Sequence, residues 1–171
     1  MFHGWDSFYL MIGSAAAGLI GLLFVVATLT AGRDHTSAMR GASLYMSPTV
    51  FHFAVVLVIS AATQAPGLAR TTAGMIIGVA ALAGFIYGVS VTLRLRRPNT
   101  QSPPHWTDLW CYGVYPTAIY LGLGVGAAGA GTEASWAADS VAITLLALLL
   151  LGIRNAWDLV TWLAPRRSDE S

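Results

Sequence analysis

Lysine is absent, cysteine occurs once, and charged residues make up only 10% of the 171-residue chain. All nine basic residues are therefore arginines, and a formal net charge of +1 offers no basic field for nucleic acid. That function class is set aside. The single Cys111 cannot form an internal disulfide and matches no metal or redox spacing, which leaves it the role of a small apolar residue. No GxSxG, HExxH or Walker-type glycine loop occurs, so the expectation is a protein that is not an enzyme. A bis-histidine haem needs a second intramembrane partner for His52, and His3, His35 and His105 fall in termini or loops. No cofactor or metal is expected. The N-terminus, Met1-Phe2-His3-Gly4-Trp5-Asp6, has no basic region before its apolar run, and that run is too long for a secretory signal. The first hydrophobic segment is expected to be retained as a helix.

What the chain has in abundance is apolar sequence: 56% of it is hydrophobic, and its mean hydropathy is +0.64. Soluble domains carry about a quarter of their residues as charges, so the composition points to a membrane protein. Runs of about 20 apolar residues read as spanning helices, and five are expected, over 8–31, 48–65, 72–95, 109–130 and 140–164. The expected architecture is one all-α domain over residues 1–171, an integral membrane bundle of five transmembrane helices. Asp6-Ser7 can cap the first helix, Ser47 followed by Pro48 reads as an N-cap with proline at N1, and Pro66-Gly67 closes the second. Pro98, Pro103-Pro104 and Pro165 mark further ends. Pro116 falls inside the fourth run, where it predicts a kink or a late helix start. The loop 33–46 has room for a short interfacial helix.

Arginines set the direction. Arg33, Arg40, Arg94, Arg96, Arg97, Arg166 and Arg167 fall on one side of the five-span arrangement and Arg70 alone on the other, which places the larger group in the cytoplasm, the N-terminus outside and the C-terminus cytoplasmic. Trp5 and Trp136 then fall at the outer interface, and Trp106, Trp110 and Trp162 at the inner one.

Helical spacing sorts each span into faces. In the third, Met75, Val79, Leu82, Ile86, Val89 and Leu93 form a lipid face opposite Gly74, Gly78, Ala81, Gly88 and Thr92. In the first, Ser14, Ala17, Gly18 and Gly21 make a small-residue row, and Gly122, Gly126 and Gly129 do so in the fourth. Such rows let membrane helices approach closely, within one chain or between chains; Gly18, Gly21, Gly74, Gly78, Gly122 and Gly126 are the expected packing positions. In the fifth span Leu146, Leu149, Leu150, Ile153, Trp157 and Val160 form an apolar face, and Thr144, Ala147, Leu151, Arg154, Asn155, Asp158 and Thr161 the inward one.

Arg154 and Asp158 stand out because a charge at a membrane helix centre costs about 2.5–3.5 kcal/mol on insertion scales. Three readings are open: an i,i+4 ion pair steadied by Asn155 that locks the helix to its neighbours, a polar vestibule formed with His52, Tyr112 and Tyr115, or an Arg154 that snorkels to the inner headgroups. His52 by itself fits a hydrogen-bonded interior histidine as well as a proton relay.

Three stretches, Ala17-Gly18-Leu19-Ile20-Gly21-Leu22-Leu23-Phe24-Val25, Ser47-Pro48-Thr49-Val50-Phe51-His52-Phe53 and Gly152-Ile153-Arg154-Asn155-Ala156-Trp157-Asp158-Leu159-Val160, together resemble a family of small bacterial multi-pass membrane proteins of uncharacterised function. The Asn-Ala-Trp-Asp stretch is the most specific part, and in that family a His commonly stands where this chain has Arg154. The resemblance implies a bacterial inner (plasma) membrane location and no particular activity. Two functions are expected from the residues: a channel or facilitator passing an ion or small solute through a cytoplasm-facing polar vestibule, or a non-catalytic accessory subunit that binds another membrane protein through glycine-rich faces. The partners are the lipid bilayer and either a second copy, making a homo-oligomer, or a different membrane protein.

Overall fold

The structure, a computed structural model, describes residues 4–30, 38–96, 106–132 and 134–163. It is all-helical over those residues, with five long helices: α1 (Asp6–Thr30), α2 (Ala38–Gln64), α3 (Arg70–Leu95), α4 (Tyr115–Gly131) and α5 (Ala137–Leu163). A π-helix, Leu109–Val114, leads into α4. Three stretches, Asp6–Leu29, Arg70–Leu95 and Ala137–Thr161, are long and apolar enough to cross a membrane, and Pro48–Gln64 is a shorter apolar helix. The positions 33, 97, 98, 103, 104, 165, 166 and 167, which carry the arginine bias and three of the proline boundaries, lie outside the described residues.

Packing is sequential with two exceptions. Helix α1 lies on α2, α3 on α4 and α4 on α5, while α5 also returns to pack on α2 and, less extensively, on α1, and so joins the two ends of the chain order. The core these contacts enclose is built from Tyr9, Ile12, Phe53, Val56, Ile59, Ile77, Tyr120, Leu123, Val141, Leu145 and Leu148. A second, smaller cluster joins Val91 of α3 to Cys111 and Tyr112 of the π-helix, with Leu151 of α5 against it.

Helix α5 shows how the residues choose their face. Val141, Leu145, Leu148, Gly152, Asn155 and Leu159 are its buried line, alternating steps of four and three as a helix-packing seam does. Of the inward face expected from the sequence, only Asn155 lies on this line. Arg154, one residue earlier, is turned about 100° away and is exposed, and Asp158 is only partly buried. The reason is shape: branched aliphatics at 145, 148 and 159 fill the seam, and the ionised groups stay at its margin. The expected lipid face of α3 is seen, with Met75, Val79, Leu82, Ile86 and Leu93 all exposed.

Two prolines mark where local rules and tertiary packing meet. Helix α2 does not start at Pro48; it runs from Ala38 straight through it. Ser47 is therefore not an N-cap, and the chain accepts the loss of one backbone hydrogen bond that an interior proline imposes. Pro116 follows directly on the π turn in a helical run that continues without a break from 106 to 131; lacking an N–H, it leaves a carbonyl of the preceding turn without a helical donor, and the wider π turn lies there. Pro66-Gly67 forms the α2–α3 turn, and Gly67 has φ +75°, a left-handed conformation that disfavours a side chain by about 1–2 kcal/mol. Gly67→Ala should lower stability by about 1 kcal/mol, read as a reduced melting temperature in detergent, with Gly67→Asn losing less because asparagine tolerates this region.

Candidate functional site

The six glycines expected to mediate packing separate into two kinds. A Cβ at Gly122 would lie 3.1 Å from Thr144 Cγ2, and one at Gly126 2.9 Å from Val141 Cγ2, so these two allow α4 to approach α5. At Gly74 and Gly78 the nearest atoms would be 3.8 and 3.9 Å away, ordinary contacts with α4 that alanine could also make. At Gly18 and Gly21 a Cβ would meet nothing within 4 Å. Both sit on the exposed side of α1 with Ser14 and Ala17.

The chain's own close approaches rest also on glycines outside this set. A Cβ at Gly84 would run into the ring of Tyr120, one at Gly113 into Thr92, one at Gly88 into Thr117 at 2.5 Å, and one at Gly152 into the Phe53 ring at 2.5 Å. Sequence periodicity alone does not find Gly84, Gly113 and Gly152, because each depends on a particular side chain of another helix: the Tyr120 ring, Thr92 and the Phe53 ring.

The polar cluster on α5 is held by its middle member. Asn155 is fully buried; its Nδ2 donates to the Cys111 carbonyl at 3.2 Å, and the Tyr112 hydroxyl donates to the Asn155 backbone oxygen at 3.2 Å. A π turn shifts the carbonyl-to-amide register of the helix, and Asn155 supplies a side-chain donor to one of its carbonyls. The same side chain accepts from Arg154 Nη1 at 3.3 Å, and Arg154 Nη1 pairs with Asp158 Oδ2 at 3.0 Å. Arg154 and Asp158 are each 42% exposed, so the pair is half in the protein and half outside it.

His52 and Tyr115 are elsewhere. Tyr115 is exposed, its ring 5.5 Å from that of Trp110. His52 is 1% exposed, and its Nδ1 lies 2.9 Å from the Tyr120 hydroxyl of α4, a partner the sequence did not suggest. Phe51 stacks nearby on Tyr87, ring centroids 4.9 Å apart. Of the six residues expected to line one vestibule, the described contacts thus join Tyr112, Arg154, Asn155 and Asp158, while His52 belongs to a separate interior pair.

Comparison with known proteins finds no matching family model, no similar curated protein and no similar solved structure. The site's chemistry must speak for itself.

Among the described residues, two apolar grooves open on the surface of the bundle. One, of about 260 Å³, runs between α1 and α2 past Gly13, Ser14, Ala17 and Ser60. The other, of about 720 Å³, lies between α3 and α4, floored by Phe85 and Tyr120 and lined by Gly74, Gly78 and Gly124. Ser14 and Ala17 of α1 line the first groove and Gly74 and Gly78 of α3 the second, while Gly18 and Gly21 continue the exposed face of α1 beyond it.

Proposed function

We propose that this chain is a non-catalytic membrane subunit that associates with another membrane protein through the small-residue faces of α1 and the α3–α4 groove. One observation carries the reading: the glycines at 18 and 21 have no close neighbour among the described residues of their own chain. Glycine in a helix interior is about 1 kcal/mol less favourable than alanine, and packing within the chain gives no compensation at these positions. Close approach of a helix from outside does, because small residues are what membrane helices use to bring their backbones together. Ser14 and Gly18, and Ala17 and Gly21, each stand four residues apart on that face, the spacing of small-xxx-small contacts.

The wider setting is five spans, with the apolar part of α2 and the π-helix plus α4 crossing beside the three longer helices, the N-terminus outside and the C-terminus in the cytoplasm. Arginine placement supports that orientation, and the Asn-Ala-Trp-Asp resemblance supports a bacterial inner membrane. In this reading Arg154 and Asp158 are a structural pair at the margin of the α5 seam.

Extraction from native membranes in a mild detergent tests the proposal. A second membrane protein should co-purify in a fixed ratio, and Gly18→Leu combined with Gly21→Leu should release it while leaving the melting temperature of this chain unchanged. Recovery of this chain alone, or retention of the partner by the double variant, would overturn it. A permeation function is the second reading, favoured by the half-exposed Arg154–Asp158 pair beside Asn155. It requires purified protein to pass ions or solutes in liposomes and Arg154→Ala to change the flux; silent liposomes under several ion gradients would dismiss it.

A further inference from the structure

The His52–Tyr120 pair raises a hydrogen-bonding question that the assembly reading leaves untouched. His52 is almost wholly enclosed, its Nδ1 is 2.9 Å from the Tyr120 oxygen, and its Nε2 is a buried nitrogen with no hydrogen-bond partner among the described residues. Tyr120 is itself buried to 1% exposure, and Gly84 lies against its ring, which leaves the ring little freedom to swing away.

The neutral imidazole has two tautomers, and they satisfy this pair unequally. If Nδ1 carries the hydrogen, it donates to the tyrosine oxygen; the tyrosine O–H is then left without an acceptor, and the lone pair of Nε2 is unused. If Nε2 carries it, the tyrosine O–H donates to Nδ1, and one donor, Nε2–H, is left over. The second arrangement strands one group where the first strands two.

Buried polar groups in folded proteins are nearly always bonded, to protein or to ordered water. An N–H donor on the far side of the ring from Tyr120 calls for an acceptor small enough to fit among packed helices. We infer that His52 Nε2–H donates to an internal water molecule, and that this histidine is a buried hydration site within the bundle. Thr49, also fully buried, lies three residues earlier on α2, so its hydroxyl is on the same side of the helix. Internal waters typically make about three hydrogen bonds, and Thr49 is the nearest polar side chain along the helix to contribute a second. This inference is independent of any partner on α1 or α3, because the site is interior and uses none of the outward glycines.

Solid-state NMR on histidine-labelled protein in lipid bilayers reads both parts. His3, His35 and His105 are replaced by glutamine so that His52 gives the only imidazole signals. The expected spectrum has a bare Nδ1 and a protonated Nε2, with magnetisation passing from water to the Nε2 proton. Thr49→Val should reduce that transfer severalfold while the Nε2–H tautomer persists. A protonated Nδ1 with a bare Nε2 would overturn the tautomer, and a protonated Nε2 receiving nothing from water would overturn the hydration site. Unchanged transfer in Thr49→Val would remove the threonine from it.

Discussion

Gly84→Ala is expected to destabilise the chain by about 3 kcal/mol, at the upper end of what overpacking a filled interior costs, and Gly84→Val to prevent recovery of folded protein. The Cβ of either variant would occupy the space of the Tyr120 ring. That ring is buried and its hydroxyl is bonded to His52, so relief by moving the tyrosine breaks the hydrogen bond as well as the packing between α3 and α4. Gly78→Ala, six residues earlier on the same helix, is the matched control. Its Cβ would sit 3.9 Å from Ala127, an ordinary contact, and alanine favours the helix by about 1 kcal/mol. The control should melt at or slightly above the parent temperature. Thermal unfolding of the two variants in the same detergent checks both; equal melting temperatures would mean that α3 and α4 do not meet at Gly84.

Asn155→Leu should have the second-largest effect, a loss of about 2–3 kcal/mol in denaturant unfolding. Leucine is of similar size and more apolar, so a purely hydrophobic seam would welcome it. The cost arises because the Cys111 carbonyl loses its side-chain donor, and a buried polar group left without a partner is penalised by about 1–3 kcal/mol. Arg154→Ala, next door, should cost less than about 1 kcal/mol, since half-exposed ion pairs contribute little. If the ranking were reversed, with Arg154 dominant, the charge pair and not the amide would be what fastens α5 to the π-helix.

These contrasts show which parts of the molecule were legible in the sequence. Three of the five helices begin and end within a few residues of where the apolar runs place them, because the runs are long; the fourth run, 109–130, is helical throughout but divides into the π-helix and α4. The exception is instructive: Pro48 looks like a helix start by local rules, yet α2 extends ten residues before it. Most of the outward faces of α3 and α5 was legible from spacing, since large aliphatics such as Met75, Val79, Leu150 and Ile153 have nowhere else to go, but Leu149 is buried in the core and Val89 is only partly exposed. The inward face of α5 was not. A charge in an apolar run draws attention to itself, but the seam is made by volume, and Gly152 and Leu148 fill it where Arg154 would not fit. The His52–Tyr120 contact was invisible for a different reason: it joins residues 68 apart in sequence, and no periodicity links them. Glycine rows were readable as rows, but only the fold separates Gly126, against which another helix already packs, from Gly18, which meets nothing among the described residues.

Cross-linking from α1 in native membranes is the most direct measurement of the assembly claim. A photo-reactive side chain at Ala17, beside Gly18 and Gly21, should give one adduct of discrete mass containing a second membrane protein, whereas the same group at Leu150, on the exposed aliphatic face of α5 and away from both grooves, should give none. A single unmodified band from both positions, or the same diffuse products from both, would contradict it.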